Sequence, residues 1–441
     1  MKILFAVSPV ISHLSPMLAV ARMALGRGDE VVVATGTHLK LAVENSGARF
    51  LALAPEADLD FSRIEEVFPE HHALPPGPEQ IRNALQIFFL DLMPPQLTTL
   101  RTAIIDERPD IVVTDSGFMG RAALFLDPSR PPVPLVSCGF TLLSLDRPDG
   151  APFGLGLPPA QDDADRARYA AIAAEFEATV EKPTRTYANA KLAELGLPPL
   201  PCSVLASFVL SADAYLHPTV PAFEYDYGEL PAHVRFVGAL PPPARERAKP
   251  EWWYELDGGK PVVLVTQGTV TNADFGELVQ PALAALADRD DLLVVVTTGG
   301  RPVTNVGPVP SNVRLAEFLD YGQLLPKLAA VVTNGGYGTV SLALRAGVPI
   351  VAAGRTEEKA DIGARVAWFG VGIEIPAQRP TSEQLRDAVA RVLSDPSYRA
   401  RARSIAADMA AIDTRAEILG VLDVLVERSI GPPVQRAVLP A

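Results

Sequence analysis

Three groups of residues in this chain are of types that do chemistry. The first is Ser12-His13-Leu14-Ser15-Pro16. It follows an apolar run at residues 2–7 and precedes a helical pattern, which places it in the turn after a first strand. In a doubly wound α/β fold that turn borders the ligand crevice, where an imidazole can act as a base near neutral pH. Asp115 also follows an apolar run, Ile111-Val112-Val113-Thr114. From there a carboxylate could reach the same crevice, hold the second nitrogen of the imidazole and stabilise its protonated form. Taken singly, each has an ordinary explanation: a loop histidine bonds nearby backbone, and an aspartate after a strand caps the next helix.

The third group, Thr333-Asn334-Gly335-Gly336-Tyr337-Gly338-Thr339, is a glycine-rich turn from a strand into a helix. The amides and positive dipole end of such a turn can hold a diphosphate, and Thr339 adds a hydroxyl. Many α/β proteins also use such a turn for structure alone. Other phosphate motifs are missing from the sequence. Residues 8–15 contain no glycine, so the first turn is not the dinucleotide fingerprint, and no Gly-x-x-x-x-Gly-Lys occurs. The Asp-x-Asp pairs Asp58/Asp60, Asp163/Asp165 and Asp288/Asp290 fall in polar stretches of an acidic chain and make poor metal candidates.

The elements that must position these groups come in two α/β runs. Residues 2–35 read as β-α-β: a strand over 2–7, a helix carrying Leu18, Ala19, Arg22, Met23 and Leu25 before Gly26 and Gly28, and a strand over 30–35. Strands are predicted at 110–114 and 133–137, and residues 54–80 and 139–160 read as long loops. A second run has strands at 261–266, 292–297, 313–315, 330–333, 348–352 and 372–375, with a helix over 275–288. Arg235-Phe236-Val237-Gly238, followed by Pro241, Pro242, Pro243 and Pro250, is the most linker-like stretch. The expected domains are 1–238, a linker at 239–257, and 258–415, with a helix and tail at 416–441 packing back on the first domain. A chain of 441 residues exceeds what one core organises, so two doubly wound domains facing a cleft are expected.

Hydrophobic residues make up 48% of the chain and charged residues 21%, which excludes disorder as its main character. A net charge of −13 disfavours a nucleic-acid partner. Two cysteines, Cys138 and Cys202, suit a reduced, cytoplasmic protein. The first 22 residues imitate a signal peptide, but Ser8, Pro9, Ser12 and His13 break the apolar run, so no leader is expected. No stretch approaches the roughly 18 apolar residues that would span a bilayer.

His13-Leu14-Ser15-Pro16, the segment Pro152-Phe153-Gly154-Leu155-Gly156-Leu157-Pro158-Pro159, Arg235-Phe236-Val237-Gly238 and the pattern across residues 317–366 together carry a resemblance. The chain is similar to inverting, metal-independent glycosyltransferases of the GT-B fold, and more narrowly to bacterial family-one enzymes that glycosylate macrolides and other natural products. The resemblance implies that His13 is the base and that Asp115 steadies it. It places Phe318 against the nucleotide base, Leu319 at the base edge through its backbone, and Gly335, Gly336 and Thr339 on the diphosphate. Glu358 and Lys359 would meet donor-sugar hydroxyls, and Gln267, Gly268 and Thr269 would line the donor.

Two positions depart from the family pattern. Asn334 stands where a histidine usually meets the α-phosphate, and its amide can donate but carries no charge. Lys359 replaces a glutamine, so the usual glucose contacts do not carry over and a less common sugar is expected. The acceptor pocket is assigned to the loops at 60–95 and 139–160, with Phe88, Phe140 and Phe153 as contacts beside Phe61, Phe68 and Phe89. The resulting expectation is sugar transfer from a UDP- or dTDP-sugar co-substrate to a hydroxyl of a small, partly apolar acceptor, with no cofactor or metal. The rival reading is a non-catalytic nucleotide-sugar-binding auxiliary. The glycine-free first turn argues against a nicotinamide oxidoreductase.

Overall fold

A computed structural model describes residues 1–61, 64–75, 77–242 and 248–430. Two parallel sheets organise them. The first has seven strands in the order β3-β2-β1-β4-β5-β6-β7: β1 Lys2–Ala6, β2 Glu30–Thr35, β3 Arg49–Ala52, β4 Ile111–Asp115, β5 Leu135–Cys138, β6 Ala214–His217 and β7 Val234–Phe236. The second has six, in the order β10-β9-β8-β11-β12-β13: β8 Val262–Thr266, β9 Leu293–Thr297, β10 Val313–Ala316, β11 Leu328–Thr333, β12 Ile350–Ala353 and β13 Gly372–Ile375. Both are doubly wound sheets of the Rossmann type, as expected from the sequence.

Four helices matter for function: α1 Ile11–Leu25, α2 Tyr337–Arg345, α3 Lys359–Trp368 and α4 Thr414–Ile430. The apolar runs explain the central strands. In β1, Ile3 and Phe5 pack in one cluster with Val31, Val33, Ile111 and Val113, while Leu4 and Ala6 face the opposite cluster with Val32, Ala34 and Val112. A strand covered on both faces needs apolar side chains at every position. Ile418, Leu419 and Leu422 of α4 pack in the cluster of Ile3 and Phe5, so the last helix lies against the first sheet. Another cluster joins the two halves, bringing Leu142, Val220 and Phe223 against Val331, Tyr337 and Ile362.

Each sheet changes direction beside its first strand, between β1 and β4 and again between β8 and β11, and ligands of such sheets bind outside the strand ends at that point. His13 follows β1 and Asp115 ends β4. Residues 267–269 follow β8 and Asn334 follows β11. Topology alone therefore brings all four segments to the crevice edges.

The structure corrects several sequence expectations. Ser12 to Pro16 are not in a turn but in the first turns of α1, which starts at Ile11 with Val10 as N-cap and without a side-chain cap. Without a capping residue the sequence carried no start signal, and Pro16 removes only one amide from the helical ladder. Residues 54–80 are not a bare loop, since Pro55–Ala57, Ile64–Val67, Pro69–Ala73 and Pro78–Leu85 form short helical pieces. Arg235 and Phe236 are not linker but the body of β7, an edge strand paired through Leu216↔Arg235 and His217↔Phe236. The helix expected over 275–288 is a turn at Phe275–Glu277 followed by Val279–Leu286. Part of the proposed linker, 243–247, and the tail 431–441 lie outside the described residues. Among the described residues both cysteines are free, and no helix is long and apolar enough to cross a membrane.

Candidate active site

The register of β1 with β4, ending at Ala6↔Thr114, sets Asp115 beside the start of the β1–α1 connection. Its buried carboxylate accepts from the Ser8 amide at 2.6 Å, the Ser8 hydroxyl at 3.1 Å and the Gly117 amide at 2.9 Å. The fourth partner is His13, whose Nδ1 lies 2.9 Å from Asp115 Oδ1. With Nδ1 donating to the carboxylate, Nε2 keeps its lone pair and is the basic nitrogen. The Phe140 ring stacks on the imidazole with centroids 3.8 Å apart. Behind the carboxylate, Arg121 is fully buried and donates to the carbonyls of Ser116 at 3.3 Å and Phe208 at 3.2 Å. Burial pulls its guanidinium down to about 10, against the field of Asp115. The structure therefore brings together the two residues of the dyad expected from sequence, with an anchored carboxylate holding Nδ1.

On the opposite half, Gly335 has φ +89, a backbone that glycine adopts without strain, and this bend leads into α2 at Tyr337. Thr339 is half-buried in the first turn of α2. Asn334 does not offer its amide outward. Its Nδ2 donates to the Gln267 carbonyl at 2.7 Å and the Thr271 hydroxyl at 3.1 Å, so both hydrogens already have acceptors. The side chain is a strap between the β11 turn and the β8 loop.

Gln267 is likewise internal. Its side chain donates to Asp274 O at 3.0 Å and accepts from the Val279 amide at 3.1 Å, which holds the loop rather than a ligand. Gly268 bends that loop with φ +73 and its carbonyl accepts from Asn272, while Thr269 is half-buried. The half-buried Phe318 ring abuts Gly300, where a methyl group would come within 2.9 Å of Cζ. Leu319 packs at the edge of the cluster that joins the two halves.

Glu358 precedes α3 and Lys359 opens it. Burial and the neighbouring Glu357 carboxylate raise the proton affinity of Glu358, while Lys359 and His13 oppose the rise. The Lys359 stem is buried and its ammonium donates to Thr356 Oγ1 at 3.2 Å and pairs with Glu357.

The expected acceptor aromatics separate. Phe88 packs at a cluster with Phe61, Phe68, Ile64 and Leu92, and Val270 from the β8 loop reaches the same cluster. Phe140 stacks on the base. Phe153 instead packs against the cluster joining the halves, next to Gly154 and Gly156, whose amides donate to Asp361 of α3. The 139–160 segment is therefore not an acceptor element alone. Sequence reasoning also missed Ser8, Thr271, Asp361 and Arg365. Only Ser8, a polar residue directly after a strand, carried a readable signal. Among the described residues no group of three or more His, Cys, Asp or Glu side chains is placed to hold an ion.

With this geometry in place, known proteins give the family. Residues 280–425 match the erythromycin biosynthesis protein CIII-like C-terminal domain. The 4'-demethylrebeccamycin synthase of Lentzea aerocolonigenes is 37% identical over 426 residues, covering 96% of this chain and 99% of that protein. This chain belongs to the GT-B glycosyltransferases of natural-product pathways. UDP-glycosyltransferase 2 of Phaeomoniella chlamydospora is 34% identical over 437 residues, covering 96% of this glycosyltransferase and 95% of its own length. The solved glycosyltransferase of kitacinnamycin shares the fold, with a TM-score of 0.70 at 20% identity over 97% of this chain and 98% of its own.

Proposed function

We propose that this glycosyltransferase moves a sugar from a UDP- or dTDP-sugar to a hydroxyl of a small, partly apolar natural product, with inversion at the anomeric carbon. The observation that carries the reading is the 2.9 Å contact between His13 Nδ1 and a carboxylate fixed by three further donors. Nε2 takes the acceptor's hydroxyl proton as its oxygen attacks the anomeric carbon, and the bond to the diphosphate oxygen breaks on the opposite face. Asp115 stabilises the imidazolium that results.

Negative charge growing on the leaving diphosphate meets the amides at the start of α2 and the Thr339 hydroxyl, so the step runs without a divalent cation. Asn334 supports this site by holding the β8 loop against the turn. Glu358 and Lys359 face the sugar. The buried Lys359 ammonium, paired to Glu357, can donate to a sugar oxygen but cannot accept from a hydroxyl, so it does not reproduce the two-way contacts of a glutamine and favours a less common sugar. The aromatic cluster at Phe88 and the Phe140 ring supply apolar area for the acceptor. Two free thiols fit a cytoplasmic enzyme.

The test is turnover of a panel of UDP- and dTDP-sugars against hydroxylated natural products, followed by mass spectrometry and by the anomeric coupling constant of the product. A glycoside of inverted configuration is expected. Tight donor binding with no turnover against any acceptor would mark an auxiliary binding protein instead.

A further inference from the structure

The residues that tie α3 to the first half of the molecule are built with more polar precision than packing needs. Asp361, in the first turn of α3, is buried and accepts from the amides of Gly154 and Gly156, the latter at 2.9 Å. Gly156 has φ +69, and a methyl group there would lie 2.9 Å from the Ala360 carbonyl, so the chain approaches the helix as closely as a backbone can. One turn further, Arg365 is 1% exposed and donates to Glu224 Oε1 at 2.7 Å and to the Tyr227 hydroxyl at 3.0 Å. Its guanidinium also stacks 4.0 Å over the Tyr225 ring.

Glu224 is itself buried, with its other oxygen 3.2 Å from His217 Nε2 at the end of β6. Burial alone would raise this carboxyl, but Arg365 and His217 outweigh it and hold it at about 2. A fully buried ion pair of this kind adds little net stability over apolar residues of the same shape. What it supplies is direction, because the planar guanidinium fits one arrangement of carboxylate and hydroxyl.

We infer that Glu224, Arg365 and Asp361 are positioning residues for sugar transfer, fixing the start of α3 relative to the base. The inference rests on the function proposed above. Glu358 and Lys359 stand at the start of α3. The segment whose amides grip Asp361 also carries Phe140, which stacks on His13. One loop therefore links the base to the helix facing the sugar, while Glu224 sets the register of that helix from the far side. None of these three residues touches the reacting atoms.

Truncating one member of the pair strands a buried charge, so the test removes both, as Glu224→Leu with Arg365→Met. The wild-type enzyme serves as control: no glycoside from it refutes the proposed function, whereas the variants judge the positioning role. In the double variant kcat is expected to fall at least 30-fold and the share of donor lost to hydrolysis to rise. The melting temperature should stay near wild type, and the dissociation constants of UDP and dTDP should stay within about twofold. Asp361→Asn leaves the ion pair whole and should lower kcat at least fivefold by the same split. Amide exchange at residues 359–362, which needs no turnover, should quicken at least tenfold in both variants. Unchanged kcat and unchanged exchange in either folded variant would overturn the inference, as would a loss confined to nucleotide affinity.

Discussion

Asp115→Asn is the substitution whose outcome follows most directly from the geometry. All four partners of the carboxylate are donors: Ser8 N, Ser8 Oγ, Gly117 N and His13 Nδ1. A carboxamide keeps one oxygen and gains a donor. If its nitrogen replaces Oδ1, it opposes the Gly117 amide and turns His13 Nδ1 into an acceptor, which places the proton on Nε2 and removes the base. If it replaces Oδ2, it opposes only the Ser8 amide, and the oxygen still orients the ring. Either arrangement strands one backbone amide, but the second leaves the His13 tautomer and the Ser8 hydroxyl bond as they are and should prevail. What then disappears is the charge on the bond to the imidazolium, worth about 1.5–3 kcal/mol, or about 10- to 150-fold in rate. Reversal of the tautomer would carry the loss toward ~10⁴-fold, as in the serine-protease triad. The expected result is a kcat lowered about 100-fold, a donor KM within about twofold, and an unfolding free energy lower by about 1–3 kcal/mol from the stranded Ser8 amide. Initial rates and denaturant melts measure all three. A kcat within threefold of wild type would show that the carboxylate serves the fold and not the base.

Asn334→Ala should raise donor KM about 5- to 20-fold with a smaller change in kcat, because it frees the β8 loop that Asn334 straps through Gln267 and Thr271. An unchanged KM would place the strap outside the donor site. Turnover should survive EDTA, and loss restored by magnesium or manganese would contradict the charge stabilisation assigned to α2. Glu181, which has no part in the proposed chemistry, is a stability probe: burial, then Glu177, pushes its carboxyl from 4.5 up to about 7. The folded state holds that proton more tightly than the unfolded chain, so this contribution is full below pH 4.5 and fades as the pH rises through about 7. Its worth is about 3 kcal/mol. Glu181→Gln should flatten the pH dependence of unfolding in that window, and an unaltered slope would assign the dependence to another group.

The central strands other than β6, which the sequence reading missed, and the dyad were legible in the sequence for one physical reason. Strands covered on both faces must be continuous apolar runs, as at β1, β4, β8 and β9, and the groups just beyond them must line the crevice. The edge strands β3 and β7 were not legible, because Arg49-Phe50-Leu51-Ala52 and Val234-Arg235-Phe236 mix polar and apolar residues as edges do. The start of α1 lacked a capping signal. Within the site, the residue types at positions 13 and 115 announced their chemistry, whereas Gln267 and Asn334 did not announce that their amides hold backbone. Long-range pairing decides such roles: Asn334 and Gln267 are 67 residues apart, and Arg365 and Glu224 are 141 apart.

The claim on which the rest depends is that His13 Nε2 removes the acceptor proton. The most direct test is the turnover of His13→Ala with a productive donor and acceptor pair at saturating concentrations. General-base catalysis contributes 10²- to 10⁴-fold, and a loss of about 10³-fold is expected, with UDP or dTDP affinity within about twofold of wild type. Turnover close to the wild-type rate would contradict the account.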